Sequence, residues 1–343
     1  MLFRSDIGNR TFKNFDSIAA GRLTLEQAIA ISCDSLWYQI AYNEWVRDGG
    51  LKPISKPNDY FFTAAREFGI GKKTGIDLPS ELGGRNPDRQ WKQDWYDQNK
   101  DYFCNYKDRA DKSQLTAYLI GIARENCIDG NKVRAGDAVN FSIGQGDLLV
   151  TPLKLAQIYA GIANNGVMYQ PQVAKAIVDT KGKVLTEFKP VNAGTVPAKP
   201  EVWNFLHTAL RAVVTRGTAA GSFAGFPVPV SGKTGTAQVQ GKNPNGSAKD
   251  DTSWFASFAP SNDPQYAVVM MVSQGGFGAT TSAVGVREIY EALFGVTGNK
   301  VDLTKAIFPN GVPTKIPAVN MKLAASAKLD TTGIKINGTK VVK

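Results

Sequence analysis

The chain has 343 residues, of which 43% are hydrophobic and 20% are charged, as is ordinary for a soluble globular protein of one large domain or two smaller ones. The net charge of +10 suits an anionic partner, namely nucleic acid, a membrane surface or an acidic cell-wall polymer, or else serves only to solvate the surface. The sequence contains no run of five basic residues, no nucleic-acid-binding motif, no stretch that reads as a membrane span and no signal-peptide core at its beginning.

Two helices are predicted in the first fifty residues. The segment Thr24-Leu25-Glu26-Gln27 has the pattern of a capping box, and apolar residues at helical spacing continue from it to a helix end near Ser32. A second helix is predicted around Leu36, with Asp34 as its N-cap. The segment Ser32-Cys33-Asp34 is therefore expected at a junction between two helices.

Residues from about 80 to 130 are interpreted as a surface insertion, since much of this segment is polar and rich in Trp, Tyr, Asp and Lys. Cys104 and Cys127 flank part of it and would form a disulfide outside the cell, whereas two free thiols fit the sequence equally well. Because the chain has no Cys-x-x-Cys pair, we expect no metal site, and we expect no other cofactor.

Two further helices are predicted in the middle of the chain. One follows the turn Gly144-Gln145-Gly146 and begins with Thr151 as N-cap and Pro152 at its first position. The other is an amphipathic helix over residues 201–215. The apolar face predicted for this second helix consists of Val202, Phe205, Leu206, Ala209 and Val213.

The C-terminal third has the alternating pattern of β-strands. One strand is predicted over residues 228–236, and residues 253–259 and 266–273 are expected to form an antiparallel hairpin. A helix from about Ser282 to Phe294 would cover the sheet, so the predicted fold class is α+β, an antiparallel sheet flanked by helices. Residues 299–343 contain eight lysines against two acidic residues, and we interpret them as a mobile basic tail or linker that follows a domain ending near 298.

Three short motifs stand in one order along the chain: Ser32-Cys33-Asp34, then Gly144-Gln145-Gly146 with the following Thr151-Pro152-Leu153, then Lys233-Thr234-Gly235-Thr236. Together they resemble the transpeptidase domain of class B penicillin-binding proteins over residues 10 to 295, with Asp34 where asparagine is commoner. The resemblance implies a penicillin-binding protein or β-lactamase-like fold, N-terminally truncated. It also implies a peptidoglycan D,D-transpeptidase that cross-links stem peptides through an acyl-serine intermediate and binds penicillin.

The resemblance implies a set of site residues. These are Ser32, Asp34 and Lys233 as catalytic residues, and Thr234, Gly235, Thr236 and Gln145 as substrate-binding residues. On a strand, Thr234 and Thr236 share one face, so their hydroxyls can together hold a terminal carboxylate beside the charge of Lys233. Gly235 would let a ligand or another backbone come close. Taken singly, each residue has a simpler structural explanation, and the hypothesis depends on the ordered combination.

The family's nucleophile motif, Ser-x-x-Lys, does not occur, because no serine in the chain is followed three residues later by lysine. Arg10-Thr11-Phe12-Lys13 has arginine in the serine position and lies too near Ser32 for this motif. We therefore expect that the chain begins after the nucleophile motif and is only marginally stable alone. We also expect that an upstream segment anchors the parent protein on the extracytoplasmic side of the bacterial plasma membrane.

The expected partners are peptidoglycan stem peptides ending in D-Ala-D-Ala, β-lactams and cell-wall synthesis proteins, with no nucleic acid. Two alternatives of the same fold remain: a non-catalytic module that binds peptides or β-lactams, and a β-lactamase-like hydrolase. A nucleotide-binding loop ending at Gly232-Lys233-Thr234 is excluded, because the position of its first glycine is occupied by Pro227.

Overall fold

The computed structural model of the chain describes residues 4–7, 10–14, 21–108 and 116–309. The helices are α1 (Leu25–Ala30), α2 (Asp34–Arg47), α3 (Tyr60–Glu67), α4 (Arg89–Cys104), α5 (Ala117–Asp129), α6 (Ala135–Ser142), α7 (Pro152–Ala163), α8 (Pro200–Arg216) and α9 (Ser282–Phe294). The strands are β1 (Arg4–Ile7), β2 (Arg10–Lys13), β3 (Val167–Tyr169), β4 (Ala176–Val178), β5 (Val184–Glu187), β6 (Asn192–Thr195), β7 (Ser231–Ala237), β8 (Thr252–Ala259), β9 (Tyr266–Val272), β10 (Val296–Thr297) and β11 (Lys300–Val301).

The chain divides into two compact units. The larger comprises the residues up to Val173 together with 190–312, and the smaller comprises 174–189 and 313–343. Of the smaller unit, residues 174–189 are described, and they form an antiparallel hairpin of β4 and β5. None of the helices in the described ranges is long and apolar enough to cross a lipid bilayer.

The largest sheet has the strand order β7-β8-β9, and both pairings are antiparallel. The predicted α+β class, the hairpin and the covering helix are confirmed. The first strand begins at Ser231, a little later than predicted, because Val228 and Val230 precede it and are buried in the core instead. Since β8 is the central strand, β7 and β9 are the two edges of this sheet within the described residues.

Helices cover both faces of the sheet because β8 buries side chains on both. Phe255 packs into a cluster with Val286 and Tyr290 of α9, whereas Phe258 packs into a second cluster with Trp203 of α8 and residues of α7. Phe255, Phe258 and Tyr290 have no exposed surface. A strand that alternates between two apolar clusters fixes the register of the strands on either side, including the strand that carries Lys233.

The amphipathic helix predicted over 201–215 is present as α8, but its buried face is rotated from the predicted one. Ala209 and Val213 are buried as predicted, whereas Val202 is 45% exposed. The residues that take the buried positions are Trp203 and Leu210, because both pack in one cluster with Ile158 and Ile162 of α7. The sequence pattern did not distinguish these two faces, since both are apolar.

The first two helices differ from prediction by one residue. The capping box of Thr24 and Gln27 opens α1 as predicted. Asp34, however, is the first residue of α2 and not its N-cap, which is Cys33 and makes no side-chain capping bond. The cap comes from outside the helix, because the buried Oδ1 of Asn14 accepts a hydrogen bond of 2.9 Å from the Ser35 backbone N–H. This contact satisfies one of the unpaired N–H groups of the first turn.

Within the predicted insertion, α4 and α5 pack together and are joined by a disulfide between Cys104 and Cys127. The choice between a disulfide and two thiols, which the sequence left open, is thus decided for the disulfide. The third cysteine, Cys33, is buried and free. The Tyr96 hydroxyl of α4 also links the two helices, because it donates a hydrogen bond of 2.9 Å to the carbonyl of Cys127.

The predicted tail is structured at its beginning. β10 pairs with β11, and a short 3₁₀ helix, Leu303–Lys305, leads to the buried Ala306. Its remainder, residues 310–343, lies outside the described residues. The domain boundary near 298 stays a prediction.

Reduction of the disulfide should loosen the insertion selectively. A cross-link across this separation contributes about 3 kcal/mol by restricting the unfolded segment, on the order of a hundredfold in local opening. We expect amide hydrogen exchange in α4 and α5 to accelerate by up to that factor after mild reduction, and in a variant with Cys104→Ala and Cys127→Ala. Cys33→Ala is the matched control and should leave exchange in α4 and α5 unchanged. Equal exchange before and after reduction would contradict the prediction.

Candidate active site

The first and third sequence motifs meet at one hydrogen bond. Lys233 Nζ on β7 donates to Ser32 Oγ at 2.8 Å, although the two residues are 201 positions apart. The same ammonium donates to the Thr234 carbonyl at 3.0 Å. The junction between α1 and α2 is thereby held against the edge strand of the sheet.

Ser32 has a left-handed backbone conformation, with φ of 56°. The reversal follows from how α1 ends: the Cys33 N–H donates to the Ala28 carbonyl at 2.8 Å, and the Ser32 N–H to the Ile29 carbonyl at 3.2 Å. A residue with a β-carbon adopts this conformation at a cost, and such residues are concentrated at functional sites. The conformation puts the serine hydroxyl within reach of Lys233.

Two opposing effects set the pKa of the Lys233 ammonium. Burial lowers the pKa of its ammonium from 10.5 to about 8, and the carboxylate of Asp34 opposes this decrease. Asp34 stands in the first turn of α2, where a negative charge is favoured by the helix dipole. A lysine with a pKa of about 8 holds a proton at neutral pH and releases it readily, which suits a group that transfers protons.

Each of the two threonine hydroxyls on β7 has a hydrogen-bond partner, which is a backbone N–H for Thr236 and a side-chain hydroxyl for Thr234. Thr236 Oγ1 accepts from the Gly278 N–H at 3.2 Å, and Thr234 Oγ1 lies 2.6 Å from Thr218 Oγ1. A hydroxyl that accepts a hydrogen bond retains its own proton for donation to an acceptor such as a carboxylate. The pair can therefore act as two neighbouring donors.

The outer edge of β7 also offers backbone donors. Gln145 Nε2 donates a hydrogen bond of 3.4 Å to the carbonyl oxygen of Thr236, so this carbonyl points away from β8. In an antiparallel strand the N–H and C=O of one residue lie on the same edge, so the Thr236 N–H faces the same side as Gln145. A backbone N–H in this position can stabilise a developing oxyanion.

Glycine is required at position 278 because the backbone there approaches β7 and β8 closely. A β-carbon at Gly278 would collide with the carbonyl oxygens of Gly235 and Trp254, which shows how near the two chain segments lie. At Gly235 itself a β-carbon would lie 3.1 Å from the Cβ of the Trp254 side chain, so the expectation that Gly235 admits a ligand or another backbone stays a prediction. The packing fixes the donor to Thr236 relative to β7.

The turn with Gln145 is anchored by the insertion. Lys92 of α4 is buried, and its Nζ lies 3.1 Å from Asp147 Oδ2 and 3.2 Å from Asp137 Oδ2. Asp147 follows the Gly144-Gln145-Gly146 turn directly. The residues interpreted as a surface insertion therefore include a buried cation that positions one wall of the site.

The predicted site residues come together in one place. Ser32, Lys233, Thr234, Thr236 and Gln145 are linked by direct contacts between their side chains and β7. Sequence reasoning missed four residues that hold this arrangement in place, namely Asn14, Lys92, Thr218 and Gly278. Only Thr218 carried a usable signal, since a Gly-Thr pair directly after an amphipathic helix marks a turn rather than a helix continuation.

The chain is similar to known proteins in sequence and in fold. A model of the penicillin-binding protein transpeptidase domain matches residues 2–291. The peptidoglycan D,D-transpeptidase MrdA of Escherichia coli (strain K12) is 25% identical over 309 residues, which are 86% of this chain and 40% of that protein. The chain thus spans about two fifths of the length of the curated relatives it matches.

Two solved structures are similar in fold. Pseudomonas aeruginosa PBP2 in complex with WCK 5153 is 26% identical with a TM-score of 0.62, over 88% of this chain and 54% of that chain. A chain of a peptidoglycan synthase complex, described for its coordination of polymerization and crosslinking, is 26% identical with a TM-score of 0.63, over 87% of this chain and 42% of that chain. The fold predicted from the three motifs is confirmed by these similarities.

The protonation of Lys233 can be measured directly. In protein labelled with ¹³C at lysine Cε, one resonance should titrate near pH 8, and it should be absent from Lys233→Arg. In Asp34→Asn the same resonance should titrate at lower pH, because the carboxylate that raises the pKa has been removed. A Lys233 resonance that titrates near 10.5 in the unaltered chain would contradict the burial argument.

The same shift predicts how stability depends on pH. Since the pKa of Lys233 is about 8 in the folded chain and 10.5 when unperturbed, the unfolded state binds more protons between these pH values. The free energy of unfolding should therefore rise with pH across this window. The free energies of unfolding of the unaltered chain and of Lys233→Met are measured with urea at pH 7, 8.5 and 10. Their difference at each pH cancels the contributions of other lysines. A difference that is flat with pH would count against it.

Proposed function

Because the chain belongs to the penicillin-binding protein transpeptidase family, we propose that its cleft binds the D-Ala-D-Ala end of peptidoglycan stem peptides and serves D,D-transpeptidation. The single observation that carries the proposal is the bond between Lys233 and Ser32 beside the hydroxyls of Thr234 and Thr236. It places a titratable ammonium, a serine and two hydroxyl donors along one strand edge. The matched relatives named as peptidoglycan D,D-transpeptidases support the reaction type.

Recognition of the peptide end follows from charge and donor geometry. A terminal carboxylate accepts hydrogen bonds only, and two neighbouring hydroxyls on one strand face can donate to its two oxygens. Lys233 adds positive charge at the same end of the strand. Hydrogen bonds to a charged acceptor contribute more than neutral ones, so this clamp is proposed as the main source of affinity for D-Ala-D-Ala.

The proposed reaction is acyl transfer in two steps. A serine of a Ser-x-x-Lys segment, which the 343 residues do not contain, attacks the carbonyl of the penultimate D-Ala and forms an ester as D-Ala leaves with a proton on its nitrogen. An amine of a second stem peptide then attacks the ester, forms the cross-link and returns a proton to the serine. Ser32 and Lys233 carry these protons, and the Thr236 N–H donates to the oxyanion of each tetrahedral intermediate.

Location and partners are proposed on separate grounds. The disulfide between Cys104 and Cys127 supports an oxidising compartment, and hence the outer side of the plasma membrane. Cell-wall synthesis proteins are proposed as partners because a similar chain belongs to a peptidoglycan synthase complex. Residues 1–298 are proposed as the part of the chain that belongs to the transpeptidase domain.

A second candidate function is a binding module without covalent chemistry. The observation that favours it is the lack of any Ser-x-x-Lys in the sequence, since the cleft described here can hold a peptide end without a nucleophile. Both functions use the same residues for recognition, and they differ only in whether a covalent acyl-serine forms. A β-lactamase-like hydrolase would differ from both by releasing a hydrolysed β-lactam.

A fluorescent penicillin distinguishes these functions. The 343-residue chain should bind it reversibly, and a peptide ending in D-Ala-D-Ala should displace it while its L-Ala-L-Ala counterpart should not. Lys233→Ala should weaken binding at least about tenfold, as expected for loss of a charged partner. Lys181→Ala, at an exposed turn, is the matched control. Binding is read by fluorescence anisotropy, and covalent labelling by a denaturing gel.

The gel separates the two candidate functions. A longer chain from the same gene that includes Ser-x-x-Lys should keep the label after denaturation, whereas a binding module would not. Denaturation-resistant labelling of the 343-residue chain itself would reveal a nucleophile within it, and a complete lack of binding would overturn the proposed clamp.

A further inference from the structure

We propose that Ser253 of β8 is a positioning residue for the carboxylate clamp, because its hydroxyl holds the loop whose Gly278 N–H donates to Thr236. The inference rests on the clamp of the proposed function and adds to it a residue outside the three motifs. Ser253 has no exposed surface, so it can act on a ligand only through the residues that it holds in place.

Ser253 and Thr236 are direct neighbours across the sheet. They are paired in the antiparallel register of β7 and β8, so their side chains lie on the same face. The loop 273–281, which joins β9 to α9, lies over this face. A β-carbon at Gly278 would collide with backbone atoms of both strands, so the loop has little room to move towards the sheet.

The Ser253 hydroxyl bonds the chain on both sides of Gly278. Its Oγ donates to the Phe277 carbonyl at 3.1 Å and accepts from the N–H of Ser282, the first residue of α9, at 3.1 Å. The partners fix both directions, because a carbonyl only accepts and a backbone N–H only donates. One side chain of the central strand thus ties the residue before Gly278 and the start of the helix that follows.

The loop donates to the clamp in a direction that is also fixed. The Gly278 N–H donates to Thr236 Oγ1 at 3.2 Å, so the Thr236 hydroxyl keeps its own proton for another acceptor, such as the carboxylate of a ligand. A hydroxyl that accepts a hydrogen bond is a stronger donor, because hydrogen bonds in a chain polarise one another. Release of the Gly278 N–H should therefore weaken the bond from Thr236 to a carboxylate.

The test is the dissociation constant of the fluorescent penicillin, measured by anisotropy on variants of the full chain. Ser253→Ala removes the hydroxyl, and we expect the dissociation constant to rise roughly threefold to tenfold, as for the loss of one hydrogen bond. Ser253→Cys has a similar shape and forms weaker hydrogen bonds. It should cause a smaller rise in the same direction, which can be measured even where the alanine variant does not fold.

Ser257→Ala is the matched control. Ser257 is equally buried on the same face of β8, but its hydroxyl bonds the Val268 carbonyl and the Tyr290 hydroxyl instead of the loop 273–281. Both alanine variants remove a buried hydroxyl, so both should lower the melting temperature, whereas only Ser253→Ala should weaken penicillin binding. An equal loss of affinity in the two variants would leave Ser253 with a structural role only and overturn the inference.

Two further measurements follow the proposed route through Gly278. In a Thr236→Val background, which lacks the hydroxyl that Gly278 bonds, Ser253→Ala should cause no additional loss of affinity. In protein labelled with ¹⁵N-glycine and without ligand, the Gly278 N–H resonance should shift and exchange faster in Ser253→Ala, and stay unchanged in Ser257→Ala.

The outcomes separate the inference from the proposed function. A chain that binds no penicillin would overturn the clamp, even where the Gly278 resonance responds to Ser253→Ala. A chain that binds penicillin equally well with and without the Ser253 hydroxyl would overturn the positioning role and leave the clamp standing.

Discussion

The contact between Lys233 and Ser32 is the constraint on which the rest of the site depends. One ammonium group bonds a side chain at the end of α1 and a backbone carbonyl of β7, so two segments from opposite ends of the chain share a single cation. A buried ammonium is tolerated only with partners, because desolvation of an unpaired charge costs several kcal/mol. The buried ammonium needs both segments as partners, and its two hydrogen bonds hold these segments together.

The sheet supplies the rigidity that this contact needs. β8 is buried on both faces, and its register with β7 places Lys233 opposite Ala256 and Thr234 opposite Phe255. The helices α7, α8 and α9 pack on the two faces and prevent the strand from sliding. A second set of contacts holds the parts that do not belong to the sheet. Lys92 binds Asp147 beside the Gln145 turn, and the helix that carries Lys92 is itself tied by the disulfide to α5. The site is thus assembled from one rigid strand and several separately tethered turns.

The sequence predicted most of the elements because their signals are local. The capping box at Thr24 and the threonine and proline at 151–152 each lie within four residues of the structure they specify, and the observed helix bounds follow them. The motif residues could be assigned to one site only through the resemblance, since their spacing along the chain says nothing of their distance in space. What the sequence could not predict involves partners that are far apart. Asn14 caps a helix that starts 20 residues later, and the N-cap of this helix was therefore predicted one residue too late. Gly278 lies close to Gly235, although it belongs to a loop that follows two further strands. Such contacts depend on tertiary packing and leave no periodic pattern.

The left-handed backbone of Ser32 is unfavourable for folding, yet it occurs at the residue whose hydroxyl contacts Lys233. Glycine or asparagine would adopt this conformation at lower energy, and the strain of about 1–3 kcal/mol is comparable to a sizeable share of the net stability of a domain. Neither alternative offers a hydroxyl in the same place. Stability therefore acts on position 32 in two opposing ways, because the backbone conformation favours glycine whereas the buried ammonium of Lys233 requires the serine hydroxyl as a partner.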